Sequence, residues 1–231
     1  PLESLMTNIR GTETVVEKAH KYSKPILVMS TSEIYGKNTS DSLSEDDDRI
    51  LGSPLKSRWS YSEAKAVDEI LAYTYWREKG LETVIIRLFN TVGPRQTGSY
   101  GMVVPRLVGQ ALRNQPLTIF GDGTQTRCFC HVGDVVGGLI SLSEHPDAFG
   151  KVFNLGGSDE ISIGDLAKRI IELVGSGSEL EFIPYGDAYE EGFEDMARRV
   201  PNTTRANQLV GFESSVGIDD IIRSVIADQR A

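Results

Sequence analysis

The sequence is poor in the side chains that build metal centres and covalent cross-links: 231 residues hold three His and two Cys. Cys128 and Cys130 are separated by one residue in what reads as a single strand. Both therefore point to the same face, yet they lie too close along the chain for an ordinary disulfide. They are read as reduced thiols of a cytoplasmic protein, with no metal-ligand spacing around them. No basic run offsets the formal net charge of -9, which argues against a nucleic-acid surface. No apolar run approaches the length of a membrane span and no signal peptide is visible, so no membrane partner is expected. Internal repeats and low-complexity tracts are absent too. The chain begins with Pro rather than Met, and is expected to be a fragment.

What is present is ordinary globular composition, 39% hydrophobic and 25% charged, in a length that suits one large domain or one and a half. Residues 4 to 22 place Leu5, Ile9, Val15, Val16 and Ala19 on an amphipathic helix. The continuous apolar run Ile26 to Met29, bounded by Pro25 and the polar STSE, reads as a buried parallel strand. Val67, Ile70, Leu71 and Tyr75 mark a second helix over 61–79, and Thr83 to Phe89 repeat the strand signal. Strand, helix, strand at this spacing means a parallel sheet in an α/β fold. Further on, a helix is expected over 101–114, strands near 117–120, 126–132, 152–155 and 180–183, and helices near 203–209 and 218–231. Asp134 is expected to cap a helix running to about Ser143, and Ser162 with Asp165 resembles a capping box. The acidic segment from Asp41 to Arg49 reads as a solvated loop without catalytic role.

Chemistry is concentrated around the 61–79 helix. Tyr61 and Lys65 sit one turn apart on one face. A phenol with a reference pKa of about 10 is a poor base at neutral pH, and a nearby ammonium favours its phenolate. Bringing it about 3 units toward the working pH takes about 4 kcal/mol of differential stabilisation. Ser30 and Thr31 follow the first strand, at the carboxyl end where open α/β sheets place their chemistry.

The segments STSEIYG, YSEAK, RLFNTVGPR, GDGTQTRCFCHVGDVV, VFNLGG and RRVPNTTRANQLVGF, in that order, resemble the extended short-chain dehydrogenase/reductase family of nucleotide-sugar epimerases, dehydratases and decarboxylases. The resemblance runs through essentially the whole chain. It implies the C-terminal part of a Rossmann-like doubly wound parallel sheet over residues 1–95, and a smaller mixed α/β substrate-binding domain over 96–231, with segments about 117–150 returning to the sheet. It implies NAD as cofactor, a nucleotide sugar as substrate, and a homodimer formed through a four-helix bundle of the first two helices. Tyr61 becomes the catalytic base, Lys65 the ligand of the nicotinamide ribose, and Thr31 the hydroxyl that bonds the reacting sugar oxygen. Glu33 belongs to the same catalytic segment. Asn8, in NIRGT where the family has N-x-x-G-T, is implied at the cofactor. Asn90 and Arg127 are implied at the diphosphate, and Arg95 and Arg199 as candidate clamps for a sugar carboxylate.

One departure matters. The family's glycine-rich G-x-x-G-x-x-G is absent and no G-x-G-x-x-G occurs, so the pyrophosphate loop and the acidic ribose ligand are not in this sequence. Where related dehydratases carry Asp-Glu after the Thr, this chain has Ser32-Glu33, which removes the acid needed for elimination. Thr-Ser-Glu is the pattern of UDP-glucuronate decarboxylases and of some UDP-glucuronate 4-epimerases. The glycines and arginines of GPRQTGSYGMVVPR favour a 4-epimerase acting on a UDP-hexose or UDP-hexuronate, with UDP-glucuronate decarboxylation as the alternative. An alternative of another class is a truncated, inactive homologue that scaffolds a dimer, against which stands the retention of Tyr61, Lys65 and Thr31.

Overall fold

The computed structural model describes residues 2–99, 102–188, 196 and 198–231. In chain order the elements begin with α1 (Leu2–Lys21), β1 (Ile26–Thr31), α2 (Ser60–Lys79), β2 (Thr83–Leu88), β3 (Thr91–Val92) and α3 (Val103–Leu112). Then follow β4 (Leu117–Phe120), β5 (Thr126–Cys128), β6 (Cys130–His131), α4 (Val132–Glu144), β7 (Lys151–Leu155) and β8 (Glu160–Ser162). The chain closes with α5 (Ile163–Val174), β9 (Leu180–Ile183), α6 (Tyr185–Ala188), β10 (Arg198–Arg199), α7 (Thr204–Val210) and α8 (Ile218–Arg230). The start of the helix expected from Gly101, and most of the acidic stretch over 187–195, lie outside the described residues.

Two compact units emerge. The first joins residues 1–89, 135–156 and 201–213, and the second joins 90–134, 157–200 and 214–231. The segments that return to the first unit are thus 135–156 and 201–213, whereas the sequence reading had placed the return near 117–150.

The first unit is built on a parallel sheet of order β1-β2-β7, with Ile26 opposite Thr83 and Val84 opposite Lys151. Val84, Ile85 and Ile86 are buried, as expected of a strand covered on both faces. On its outer side β1 has no strand partner among the described residues, and Ile26, Leu27 and Met29 along it are only half-buried. The helix α1 keeps Leu5, Ile9, Thr12, Val16 and Ala19 inward while Val15 is 54% exposed. In α2 the burial differs from the apolar pattern. It buries Ser62, Ala64, Ala66, Asp68, Glu69 and Ala72, and leaves Ile70 62% exposed. The reason is steric: α2 packs against α1, β1 and β2 together, and small side chains permit that approach.

The acidic segment also differs from expectation. Gly36 takes a positive φ of 59° and bridges Ile50, where an added Cβ would meet the Ile50 carbonyl oxygen at 2.3 Å. This closes the loop between them onto the unit. Leu43 and Glu45 are buried, and only the neighbouring acids remain in water.

The second unit packs α3, α5 and α8 around a core that includes Val104, Leu107, Leu166, Ile170, Ile222 and Val225. Its short strands pair as β10-β5-β8, β3-β6 and β4-β9. Ser162 caps α5 by accepting from the Asp165 N–H at 3.0 Å, while the Asp165 carboxylate turns to the Ser162 hydroxyl at 2.8 Å. Asp134 is no helix cap. Its carboxylate accepts from the Ser215 N–H, the Ser215 hydroxyl and the Val216 N–H at 3.0, 2.8 and 3.2 Å, anchoring the segment before α8. Among the described residues no helix is long and apolar enough to cross a membrane.

Candidate active site

The first unit gathers Thr31, Glu33, Tyr61 and Lys65. Thr31 ends β1 in extended backbone and accepts from the Glu33 N–H at 3.2 Å, starting a turn of 3-10 helix over Ser32–Tyr35. From the facing end of α2, the Ser62 hydroxyl donates to the Glu33 carbonyl at 2.9 Å. That bond locks the start of α2 onto the strand end. As a result the Tyr61 hydroxyl faces the Thr31 side chain, whose hydroxyl favours the phenolate. Arg58, in the 3-10 turn before α2, forms an ion pair with the Glu33 carboxylate and lies over the Trp59 ring. Sequence reasoning missed Arg58, whose only sequence signal is its place just before the Tyr61 helix.

The Lys65 ammonium lies 3.1 Å from Asp68 Oδ2, and Asp68 is wholly buried, its Oδ1 lacking a hydrogen-bond partner among the described residues. Burial pushes the Tyr61 phenol above its ordinary value, and the charges of Glu33 and Asp68 push it the same way. In this state the phenol holds its proton, chiefly because it is buried and faces the charges of Glu33 and Asp68.

Beneath these groups runs a buried polar network, also missed from sequence. Arg87 of β2 makes a bidentate pair with Glu69 of α2, at 2.9 and 2.8 Å, and donates to the Tyr35 hydroxyl at 3.0 Å and the Glu45 carbonyl at 2.9 Å. Tyr35 donates to Asn154 of β7 at 2.7 Å, and Ser30 donates to Glu69 at 2.5 Å. These bonds tie β1, β2, β7 and α2 together directly under the strand end that carries Thr31. Burial raises the Tyr35 phenol to about 12 although Arg87 opposes it.

The other proposed ligands lie in the second unit, except for Asn8. Asn90 donates to the Cys128 carbonyl at 3.0 Å and accepts from the Cys130 N–H through its own carbonyl at 2.9 Å, so it pins the loop between β5 and β6. Arg127 is buried on β5 and is the register partner of Arg199 on β10. The neighbouring pair is Thr126 and Arg198, and Arg198 is held by Glu160 at 2.8 Å. Arg95 is exposed with a positive φ of 66°, and its N–H donates to Asp228 of α8 at 2.7 Å. Asn8, on α1 in the first unit, donates its carboxamide to the Ser4 carbonyl at 2.8 Å.

A cleft of about 190 Å³ opens beside Lys65, lined by Gly11, Thr12 and Val15 of α1 and residues 26–29 of β1. Whole-ligand pockets measure roughly 300–1,000 Å³. The cleft has a lysine at its wall, and no glycine-rich cradle for a pyrophosphate occurs in these residues.

Residues 1–156 match the sequence profile of the NAD dependent epimerase/dehydratase family. The chain is 37% identical to the UDP-N-acetyl-alpha-D-glucosaminuronate decarboxylase of Bacillus cytotoxicus, over 97% of its own length and 70% of that enzyme. With UDP-glucuronic acid decarboxylase 1 of Xenopus tropicalis it shares 35% identity over 98% of its length, but spans only 52% of that protein. Its fold superposes with a TM-score of 0.86 and 28% identity on the UDP-glucuronic acid 4-epimerase of Bacillus cereus in complex with UDP-glucuronic acid and NAD, covering 97% of this chain and 68% of that one. The Tyr61 and Thr31 geometry at the end of a parallel strand, together with these matches, makes the chain a member of the NAD dependent epimerase/dehydratase family.

Proposed function

We propose that the protein acts on a UDP-hexuronate through a 4-keto intermediate and removes its carboxyl group as CO₂. The observation that carries this reading is the juxtaposition of Tyr61 and Thr31 beside Glu33 and its Arg58 partner in a Thr-Ser-Glu segment. The similarity to curated decarboxylases turns the choice from the 4-epimerase favoured by sequence to decarboxylation.

Thr31 and Tyr61 both address the sugar C4 hydroxyl: Thr31 holds its oxygen and Tyr61 takes its proton. NAD, when bound, supplies the acceptor for the C4 hydride. Lys65, at the cleft wall, is the residue that would hold the nicotinamide ribose. The resulting uronate is a β-keto acid, and loss of CO₂ leaves its electron pair at C5, where a proton must then be delivered. Tyr61 is not its source, because it returns its own proton to O4 when the hydride goes back to C4, so the C5 proton comes from water. Arg127 and Arg199 are assigned to the anionic part of the substrate, since paired guanidinium groups match phosphate or carboxylate oxygens.

The second reading is 4-epimerisation of the same uronate. The likeness to the Bacillus cereus 4-epimerase favours it, as does the segment around Arg95, which would hold the carboxylate and prevent its loss. In either case a second copy of the chain pairs through α1 and α2, whose exposed Ile70 and Tyr73 support an interhelical contact. The test is to supply the complete protein with UDP-glucuronate, and separately with UDP-N-acetylglucosaminuronate, and to follow the nucleotide sugars by mass. A product lighter by CO₂ supports decarboxylation. An isomer of unchanged mass establishes the epimerase, and turnover of UDP-glucose alone refutes both uronate readings.

A further inference from the structure

An acidic residue on the inner face of a helix calls for a physical reason. Asp68 is wholly buried where Ala64, Ala66 and Ala72 let α2 pack closely, and a helix interior offers an Asp side chain no compensation of its own. Its neighbour Glu69 shows what a structural buried carboxylate does: one oxygen takes Ser30 and Arg87, the other takes Arg87 again. Asp68 instead uses one oxygen, on Lys65, and leaves the other without a partner. Packing alone would favour an apolar residue here, and a polar network would engage both oxygens.

We propose that Asp68 is a positioning residue that sets the pH at which Tyr61 gives up its proton, by holding the Lys65 ammonium and spending part of its charge. The inference rests on the reading of Tyr61 as the base. The groups facing this cluster are few. On α2 they are Tyr61, Lys65 and Asp68, with Glu63 turned to Arg49 and Glu69 to Arg87 of β2. The 3-10 turn after β1 adds Glu33, and the turn before α2 adds its partner Arg58. From α1 the neighbours of Lys65 are Gly11, Thr12 and Val15, none of which titrates, while His20 lies against Tyr75 further along α2. β1 contributes no titratable side chain. Removing the Asp68 charge deletes a negative charge that holds the Tyr61 phenol up and leaves the Lys65 ammonium without its counter-ion, one electrostatic change in one direction. Tyr61 then ionises at lower pH.

Ultraviolet difference titration of the 231-residue protein tests this without substrate or cofactor, with the curve of Tyr61→Phe subtracted so that the remainder belongs to Tyr61. Asp68→Asn, which keeps the shape and removes the charge, is expected to move that curve to lower pH. Asp68→Ala serves the same purpose if the amide fails to fold. In the complete enzyme, Asp68→Asn should gain about threefold or more in kcat/KM on the acid limb and converge with the parent at high pH. A Tyr61 curve that stays in place or moves to higher pH in the folded variants overturns the proposal. Should Tyr61→Phe keep full turnover, the base reading falls instead, and the titration still decides the influence of Asp68 on the phenol.

Discussion

Arg127 and Arg199 stand opposite each other on the parallel strands β5 and β10. Paired guanidinium groups match the oxygens of an anion, the role proposed for them above. Replacing either by Ala should weaken UDP binding by roughly 10- to 100-fold, the value of a charge-assisted hydrogen bond of about 1.5–3 kcal/mol. Titration calorimetry with UDP checks this, and equal affinity in both variants removes the pair from the nucleotide site.

Tyr61→Phe should abolish turnover in the complete enzyme and leave UDP binding nearly unchanged, because only proton transfer is lost. Retention of more than about a tenth of the parent rate would remove Tyr61 from that role. Since burial, Glu33 and Asp68 all hold the phenol above its ordinary value, turnover of the parent should rise with pH through the neutral range.

The network under the site predicts a large stability effect. Glu69→Ala leaves Arg87 buried without its carboxylate, at a cost of about 3–5 kcal/mol. The double variant Glu69→Leu/Arg87→Met should recover part of that loss. Denaturant midpoints measure both, and a single variant within about 0.5 kcal/mol of the parent would show the pair to be dispensable.

Alkaline stability follows from buried acids. Burial raises Cys128 to about 12 and Cys130 to about 11 from an ordinary 9.0, and Tyr35 to about 12 from 10.0. A raised folded pKa means that the unfolded chain loses its proton first. Each group's contribution is therefore whole below its ordinary value and is lost as pH rises through its folded value. Thermal melts should hold steady to about pH 8 and then fall. In the native protein both thiols should resist alkylation until unfolding, and rapid labelling at neutral pH would contradict their burial.

The 231-residue polypeptide by itself should not retain NAD through purification, because it carries the cleft beside Lys65 but no glycine-rich phosphate cradle. Stoichiometric NAD in a denatured extract would require a binding mode outside the described site.

Much of this was legible in the sequence. Continuous apolar runs flag β1 and β2 because strands covered on both faces need no polar alternation, and one-turn spacing joins Tyr61 to Lys65. The meeting of Thr31 with Tyr61 followed from the family resemblance and the rule about strand ends. Charge burial was not legible. Asp68, Glu69, Glu45 and Arg87 read as surface residues by type, and for the last three burial depends on partners far away in sequence, such as Asn154 with Glu45. The burial of α2 was misread for a related reason: close packing selects Ala64 and Ala72 over Ile70. Pairing of β5 with β10 joins residues far apart in the chain through two-residue contacts that carry no periodic signal.

Among the described residues the outer side of β1 is an open sheet edge. An unpaired parallel strand with Ile26, Leu27 and Met29 half-exposed offers backbone donors and acceptors to any extended segment that can align with it. A βαβ fragment supplied in trans from a relative could therefore dock there and restore cofactor binding without a covalent link. Such an edge also favours pairing between copies of the chain. The polypeptide should then lose solubility with rising concentration, and a lysine introduced at Leu27 should suppress that loss.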